Sequence, residues 1–259
     1  MTRPPSYPVS HSLLEGKRVL VTASAGAGIG FATARRCAEE GATVVLSDVH
    51  ERRLREAADE LEKVSGARPL AVPCDVTSED QVQRLFDTAV TQLGALDVVV
   101  NNAGLGGTKP LVEMTDDEWH AVLDVSLNGT FRCTRAALRH MIPRGEGAIV
   151  NLSSVLAWRA QAGQAHYSAA KAAVAALTRA AAIEAAPHNV RVNAVAPSLA
   201  MHPFLEKVMP RDTLDELVSL EAFKRSAETW EVANVIVFLA SDYSSYMTGE
   251  VVSVSSQHP

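Results

Sequence analysis

The chain has 259 residues, of which 47% are hydrophobic and 21% charged, and its formal net charge is −6. This length fits a single α/β domain that buries a large core without disulfides or a structural metal. The acidic balance and the lack of a basic stripe argue against nucleic-acid binding. No apolar run reaches the roughly 18 residues of a membrane span, and the stretch Met1–Gly16 lacks the continuous apolar segment of a secretory signal.

The three cysteines are odd in number and widely spaced, at Cys37, Cys74 and Cys133, and no CxxC pair occurs. This pattern offers neither a disulfide framework nor the spacing of zinc ligands. It is typical of small, buried, reduced thiols. We therefore expect a cytoplasmic protein without a bound metal.

Along the chain, short β-branched runs alternate with longer helical segments. The expected strands are Arg18–Thr22, Thr43–Ser47, Pro69–Pro73, Leu96–Val100, Ala148–Leu152, Arg191–Val195 and Val251–Val254. The expected helices are Gly30–Glu40, Glu51–Lys63, Glu79–Leu93, Asp116–Met141, Gln164–Ala186 and Thr229–Ala240. Strands that are apolar throughout cannot face water on either side. The alternation therefore predicts one doubly wound, Rossmann-type parallel sheet of about seven strands with helices on both faces.

One segment, 198–226, breaks this rhythm with Pro-containing turns and a short amphipathic helix. It follows a late strand, and in such sheets ligands bind outside the carboxyl ends of the strands. We expect residues 1–15 to form a polar leader and residues 16–259 a single cofactor-binding domain. Within that domain the segment 198–226 is the expected substrate lid, which orders on binding; a helix packed in the core is the alternative.

The first strand leads into a glycine-rich turn and then directly into a helix. Gly26, Gly28 and Gly30 let the backbone approach a pyrophosphate, whose charge meets the helix N-terminus. A tight strand-to-helix connection is the alternative interpretation of these glycines taken alone. At the end of the second strand, Asp48 offers a carboxylate to both ribose hydroxyls of adenosine and would repel a 2′-phosphate. This arrangement favours NAD over NADP.

The residues after Asp48 and two further loops complete the expected nucleotide edge. His50, Arg52 and Arg53 begin the next helix, and we expect them to point into solvent. Asp75 follows the third strand, where it either holds the adenine amino group or caps the helix upstream. After the fourth strand the turn 101–104 passes beneath the cofactor, and its two Asn side chains tie neighbouring strands together.

A second group of residues carries acid–base chemistry. Tyr167 and Lys171 stand four residues apart on one helix, which places them on the same face one turn apart. A lysine ammonium beside a phenol lowers the tyrosine pKa from about 10 toward neutrality. Tyr167 then exchanges a proton with a substrate hydroxyl or ketone, and Ser154 at the end of the fifth strand hydrogen-bonds the same oxygen.

These motifs, together with the run from Asn193 to Pro197, resemble the short-chain dehydrogenase/reductase family from about Gly16 to Val254. The resemblance implies a nicotinamide cofactor, here NAD, and catalysis by Ser154, Tyr167 and Lys171, with Lys171 also gripping the nicotinamide ribose. It implies cofactor contacts at Thr22, Ser24, Gly26, Gly28, Ile29, Gly30, Asp48, Asp75, Val76, Asn102, Ala103, Gly104, Tyr167, Lys171 and Pro197.

The chain departs from the family pattern at three places. Ala23 follows Thr22 where the family has glycine, and the turn is one residue longer. Ser126 stands where the family has its catalytic Asn, so we expect Ser126 to hold a water in a modified proton relay through Lys171. Asn128 lies about 200° further round a helix and substitutes only if that helix is bulged.

The third departure is Ser198, which follows Pro197 where the family has glycine and alters the wall near the nicotinamide. The run 193–207 and the ending 253–259 resemble actinobacterial family members in steroid breakdown, which act on coenzyme A esters of a bicyclic hydrindane. The expected apolar walls, for which core packing is the alternative, are Trp158, Leu199, Met201, Phe204, Leu205 and Val208. The cations expected either to meet CoA phosphates or to form a solvated face are Lys207, Arg211, Lys224 and Arg225.

The sequence thus predicts an NAD-dependent oxidoreductase that interconverts a secondary alcohol and a ketone on a bulky apolar, CoA-linked small molecule. A catalytically impaired cofactor-binding subunit or sensor, and a 3-oxoacyl thioester reductase, are the alternatives. Thirteen of the 25 residues from Ala162 to Ala186 are alanine. So smooth a helix suits close approach across a two-fold axis, and the family forms tetramers through it, so we expect a homodimer or homotetramer. Burial against the sheet alone is the other interpretation.

Overall fold

The computed structural model describes residues 6–202, 205 and 211–256. Its strands are β1 (Arg18–Thr22), β2 (Thr43–Asp48), β3 (Leu70–Pro73), β4 (Val98–Asn101), β5 (Gly147–Leu152), β6 (Val190–Pro197) and β7 (Val251–Val254). Its α-helices are α1 (Ile29–Glu39), α2 (Glu51–Ser65), α3 (Glu79–Leu93), α4 (Asp116–Leu123), α5 (Gly129–Met141), α6 (Ala165–Ala185), α7 (Arg211–Leu220) and α8 (Thr229–Ala240).

All seven strands run parallel in one sheet, in the order β3-β2-β1-β4-β5-β6-β7. The order reverses between β1 and β4, and the carboxyl ends of the strands meet at one edge. In sheets of this kind that point of reversal opens the crevice in which ligands bind. The expected doubly wound α/β fold is confirmed.

Two apolar layers cover the sheet because successive strand residues point to opposite faces. Val19 and Val21 of β1 join a cluster with α1, α2 and α8. Leu20, between them, joins the opposite cluster with α3, α5 and α6. Strands buried on both sides must be apolar throughout, which is the pattern that β4 shows in the sequence.

The single long helix expected over 116–141 is wrong in its continuity. Asp124–Asn128 forms a π-helical turn between α4 and α5. Such a turn inserts an extra residue into the helix and is frequent at functional sites. It changes which side chains of this region face the sheet edge.

The described part of the leader, from Ser6 onward, lies along α1. A buried ion pair of Arg36 with Glu40 holds it. Arg36 donates to the Pro8 and Val9 carbonyls, and Glu40 accepts from backbone N–H groups of the leader. The leader is therefore fixed to the helix that follows the glycine-rich turn.

The three cysteines are free and buried. Within the described ranges no helix is long and apolar enough to cross a membrane. In the same residues no cluster of three His, Cys, Asp or Glu side chains has an arrangement that could hold a metal ion.

Candidate active site

The structure brings most of the predicted site residues to one edge of the sheet. The glycine-rich turn joins β1 to α1, and Asp48 is the last residue of β2. Asp75 follows β3, the turn 102–104 follows β4, and Ser154 follows β5. Pro197 ends β6. A single ligand lying across this edge is within reach of all these segments.

Close approach between the glycine-rich turn and the turn after β4 explains why position 30 is glycine. A Cβ on Gly30 would lie 2.2 Å from the Ala23 carbonyl oxygen and 2.4 Å from Asn102 Nδ2. Asn102 Nδ2 donates to the Thr22 and Ala23 carbonyls at 3.1 and 3.0 Å. Ala23, which replaces the family glycine, adopts a left-handed φ of 49°. The turn therefore keeps the glycine-like conformation at some cost in strain.

The N-terminus of α1 remains open for an anion. Gly28 precedes the helix, and no side chain caps its first N–H groups. Uncapped N–H groups at a helix N-terminus attract phosphate. This end of α1 therefore fits the pyrophosphate of a dinucleotide.

Thr22 and Ser24 act within the turn. The Thr22 hydroxyl accepts from the Asn102 and Ala103 N–H groups at 3.0 and 3.1 Å. The Ser24 hydroxyl, which is fully buried, donates to the Ser47 carbonyl and accepts from the Ser47 N–H. Both hydroxyls thus shape the backbone that would contact a cofactor.

The Asp48 carboxylate lies beneath the glycine-rich turn and is only 6% exposed. It accepts from the Ala25 N–H at 3.1 Å and from the His50 N–H at 2.9 Å. Burial raises the pKa of Asp48 above its usual value, and the backbone N–H groups of Ala25 and Val49 and the charge of Arg53 offset only part of this rise. His50 and Arg52 point into solvent as expected, but Arg53 is half-buried and acts on Asp48.

Asp75 serves the local turn with one of its two oxygens. Its Oδ1 accepts from the Thr77 N–H and hydroxyl at 2.9 and 2.8 Å. Ser78 is the N-cap of α3, so Asp75 supports the approach to this helix, as the capping alternative required. The next residue, Val76, lies against Gly129. If Gly129 carried a Cβ, that atom would lie 2.6 Å from Val76 Cγ2.

The three catalytic candidates are adjacent. The Ser154 hydroxyl hydrogen-bonds to the Tyr167 phenol. Lys171 Nζ lies 5.5 Å from the centre of the Tyr167 ring and donates to the Leu152 carbonyl at 2.7 Å. A Cβ on Gly104 would lie 3.3 Å from Lys171 Nζ. The turn after β4 therefore passes directly over the lysine.

The expected lowering of the Tyr167 pKa is wrong for this state of the protein. Burial raises the pKa of Tyr167, and the hydrogen bond from Ser154 lowers it by less. Burial also lowers the pKa of Lys171 to about 8. The ammonium is directed to the Leu152 carbonyl, so the phenol stays protonated at neutral pH and is ready to give a proton.

Ser126 lies fully buried in the π-helical turn. Its hydroxyl donates to the Leu105 carbonyl and accepts from the Leu105 N–H, both at 2.9 Å. Both of these bonds go to Leu105 and leave one lone pair of the hydroxyl for a water, so the expected water stays a prediction. Through these bonds Ser126 clamps the loop that crosses Tyr167 and Lys171.

Asn128 does not replace the family Asn. The helix is bulged, which was the condition for substitution, yet Asn128 is exposed and donates to Asp124 Oδ1 at 3.1 Å. A π turn advances the chain about one residue relative to an α-helix. This advance leaves Ser126, rather than Asn128, toward the site.

The segment 198–226 is anchored at both described ends. The Met201 N–H donates to the Ala227 carbonyl at 3.1 Å, and the Ala227 N–H to the Leu199 carbonyl at 2.8 Å. Between them, α7 buries Leu214 and exposes Leu220. The segment therefore contains a packed helix whose last residue, Leu220, is an exposed apolar side chain.

Of the expected apolar walls, Trp158 is 49% exposed, while Leu199, Met201 and Leu205 are half-buried. Phe204 and Val208 lie outside the described residues, as does Lys207. The other cations named as CoA contacts have partners within the segment or at its end. Arg211 pairs with Asp215, Lys224 donates to the Ser219 carbonyl, and Arg225 pairs with Glu231. Arg211 and Lys224 are exposed, as a solvated face requires, whereas the Arg225 side chain is only 17% exposed.

Sequence reasoning missed several residues beneath the site. Asn151, next to last in β5, joins Asn101 to Thr178 of α6 by hydrogen bonds. The Leu152 carbonyl, which receives Lys171, carries no side-chain signal. For the contacts of Asn151, the signal available in the sequence was an Asn in an otherwise apolar strand.

Comparison with known proteins agrees with this geometry. A family model described as enoyl-(acyl carrier protein) reductase matches residues 23–256. The "(5R,7aS)-5-hydroxy-7a-methyl-1-oxo-2,3,5,6,7,7a-hexahydro-1H-indene-carboxyl-CoA reductase" of Mycobacterium tuberculosis is 60% identical over 98% of both chains. Cis-4-hydroxycyclohexanecarboxylate dehydrogenase of Sinomonas cyclohexanicum is 44% identical over 92% of this chain and 95% of its own.

Among solved structures, a short chain dehydrogenase from Mycobacterium smegmatis superposes with a TM-score of 0.88 at 55% identity, covering 99% of each chain. The fold and the site together define an oxidoreductase that uses a nicotinamide cofactor on hydroxyl or ketone groups. The chain belongs to the short-chain dehydrogenase/reductase family.

Proposed function

We propose that this protein is an NAD(H)-dependent reductase of a ketone on a bicyclic, hydrindane-type acyl-CoA, able to run in reverse on the secondary alcohol. The observation that carries the chemistry is the contact of Ser154 with Tyr167 above the buried Lys171. The substrate class rests on the relative at 60% identity, whose printed name describes such a reductase.

The preference for NAD rests on Asp48. Its carboxylate is held by two backbone N–H groups below the glycine-rich turn, where it suits ribose hydroxyls. A 2′-phosphate within about 4 Å of this charge costs on the order of 1–4 kcal/mol. The charge of Arg53 acts on the same carboxylate and favours its ionised form.

Bound NADH supplies the hydride. The protonated Tyr167 phenol gives its proton to the ketone oxygen, which becomes the alcohol hydroxyl. Ser154 hydrogen-bonds the same oxygen and fixes its position. Lys171 places a positive charge next to the phenol and favours the tyrosinate left behind. Ser126 has a positioning role, because its hydroxyl holds the loop that covers both side chains.

Three proposals concern the protein around this centre. Residues 16–259 form one domain in which 198–226 is the substrate lid, supported by the half-buried Leu199 and Met201 and by the exposed Leu220 of α7. The smooth face of α6 and the exposed Phe131 of α5 support a homodimer or homotetramer. The buried free thiols support a reducing, cytoplasmic compartment.

The test of the cofactor is a pair of titrations with NADH and NADPH, on wild type and on Asp48→Asn. We expect wild type to bind NADH at least about tenfold more tightly, and the variant to lose most of this discrimination while remaining folded. Equal or tighter binding of NADPH by wild type would sink the assignment.

The test of the substrate follows NADH absorbance with three ketones: the hydrindane keto acyl-CoA, its free acid, and a straight-chain 3-oxoacyl-CoA. We expect the highest kcat/KM for the hydrindane thioester. Preference for the straight-chain thioester would establish the 3-oxoacyl reductase alternative. Binding of NADH without turnover of any ketone would support a non-catalytic subunit.

A further inference from the structure

A buried polar network lies at the centre of the sheet, below the candidate active site. Asn101 Nδ2 donates to Asn151 Oδ1 at 2.8 Å and to Thr134 Oγ1 at 3.0 Å. Asn151 Nδ2 donates to Thr178 Oγ1 at 3.0 Å. Asn151 and Thr178 are both 0% exposed. The network therefore joins β4, β5, α5 and α6 by directional bonds out of reach of water.

The network continues upward into the catalytic residues. Thr178 lies seven residues after Lys171, two turns along the same face of α6. Above the bond from Asn151 to Thr178, Lys171 Nζ donates to the Leu152 carbonyl at 2.7 Å. The Ser153 hydroxyl donates to the Lys171 carbonyl at 2.9 Å. Consecutive residues at the end of β5 and just after it thus bond to α6, and the series ends where Ser154 meets Tyr167.

Helix α6 needs such bonds because its own packing surface is smooth. Its sheet-facing side includes Ala181, Ala182 and Ala185, which belong to the buried apolar cluster on that face of the sheet. Small side chains do not interlock as ridges and grooves do, so they define the axial position of a helix weakly. A directional hydrogen bond between two fully buried groups has one favourable geometry. In an alternative position Asn151 Nδ2 would lose this acceptor while buried, whereas the Thr178 hydroxyl would keep its bond to the Val174 carbonyl.

We propose that Asn151 and Thr178 are positioning residues, a pair that fixes the axial position of α6 on β5 and so brings the Tyr167 phenol to Ser154. This assignment rests on the proposed roles of Tyr167 and Ser154. Neither residue of the pair touches substrate or cofactor. Misplacement of a catalytic group by about 1 Å costs up to about 100-fold in rate, so even a small slide of α6 is measurable.

The experiment compares wild type with Thr178→Val, Thr178→Ser, Asn151→Leu and the double variant Thr178→Val/Asn151→Leu. Thr178→Val keeps the shape of the side chain and removes the hydroxyl, while Thr178→Ser keeps the hydroxyl. The measurements are kcat and KM for the hydrindane keto acyl-CoA, or for 4-oxocyclohexanecarboxylate if the thioester is not turned over, and Kd for NADH. Ser244→Ala is the matched control, since it removes another buried hydroxyl, which donates to the Leu239 carbonyl at 3.0 Å.

We expect kcat to fall about 10- to 100-fold in Thr178→Val and Asn151→Leu, with Kd for NADH within about twofold of wild type. The double variant should lose no more than the worse single variant, because the two residues act through one bond. Thr178→Ser should recover most of the rate. Ser244→Ala should lower the melting temperature and leave kcat unchanged.

Full kcat in folded Thr178→Val, or loss of folding in that variant, would overturn the proposal, since either result assigns the pair a structural role alone. Additive losses in the double variant would also contradict it. Failure of wild type to turn over any ketone is a different outcome, because it contradicts the proposed function. These measurements therefore distinguish a failure of the positioning proposal from a failure of the proposed function.

Discussion

Replacement of the buried Lys171 by methionine should make the protein more stable and inactive. The side chain is only 3% exposed, and burial lowers its pKa from 10.5 to about 8. The ammonium is therefore destabilised in the folded chain by about 3 kcal/mol relative to the unfolded chain. Methionine has a similar length and no charge to desolvate, so it removes this penalty.

The loss of one hydrogen bond opposes this gain in stability. Lys171 Nζ donates to the Leu152 carbonyl at 2.7 Å, and leaving this buried acceptor unpaired costs about 1 kcal/mol. The net gain at pH 7 is about 2 kcal/mol, which corresponds to a rise of about 4–6 °C in melting temperature for a domain of this size. Active sites commonly hold such unfavourable groups at the expense of stability.

The sign of the pH dependence follows from linkage. The folded pKa lies below the unfolded one, so the penalty is fully present below about pH 8 and disappears as the pH rises to 10.5. At pH 9 about 2 kcal/mol of the penalty remains, and the advantage of Lys171→Met over wild type should shrink by about 1 kcal/mol.

The assay is thermal unfolding of both proteins without cofactor, at pH 7 and pH 9. The exposed Lys63 of α2 provides the matched control, and Lys63→Met should leave the melting temperature and the turnover unchanged. A Lys171→Met variant that is less stable than wild type at pH 7, or whose advantage is equal at both pH values, would refute the reasoning.

Three further outcomes are expected. Gly30→Ala should lower the melting temperature by about 4–6 °C and weaken NADH binding, because its Cβ would lie 2.2 Å from the Ala23 carbonyl oxygen; overpacking of this kind costs about 1–3 kcal/mol. Gly28→Ala, whose Cβ meets no atom within 4 Å, should leave the melting temperature within about 1 °C of wild type. Tyr167→Phe should lower kcat by about 10²–10⁴ while Kd for NADH stays within a few fold; a rate above about a tenth of wild type contradicts the acid–base role. In hydrogen exchange, peptides from the proposed lid 198–226 should exchange fast in the free protein and become protected with NADH and the keto acyl-CoA, whereas slow exchange in both states would assign the segment to the core.

Local sequence determined the elements and the chemistry of the site. The alternation of apolar strands with amphipathic helices fixed the sheet, since each pattern can be buried in only one way. The four-residue spacing of Tyr167 and Lys171 is enough to place them on one face of a helix. The glycine-rich turn and Asp48 indicated the nucleotide edge, because those residue types meet the needs of a pyrophosphate and a ribose at that spacing.

Tertiary structure decided the pKa values of the catalytic residues and the role of Ser126, which departs from the family pattern. The pKa of Tyr167 depends on burial and on the hydrogen bond from Ser154. No sequence spacing reveals that the Leu152 carbonyl accepts the Lys171 ammonium. The role of Ser126 depends on a π turn that brings its hydroxyl to Leu105, a backbone partner without a sequence signal.

The axial position of α6 was likewise invisible in the sequence. An alanine-rich segment predicts a helix but not its position along the sheet, because helix propensity is a local property. Only the folded chain shows that Asn151 and Thr178, 27 residues apart, meet in the core. Contacts between segments far apart in sequence depend on how whole elements pack. The sequence therefore determined which groups are present at the catalytic edge, and the packing of α6 on β5 decided how they face one another.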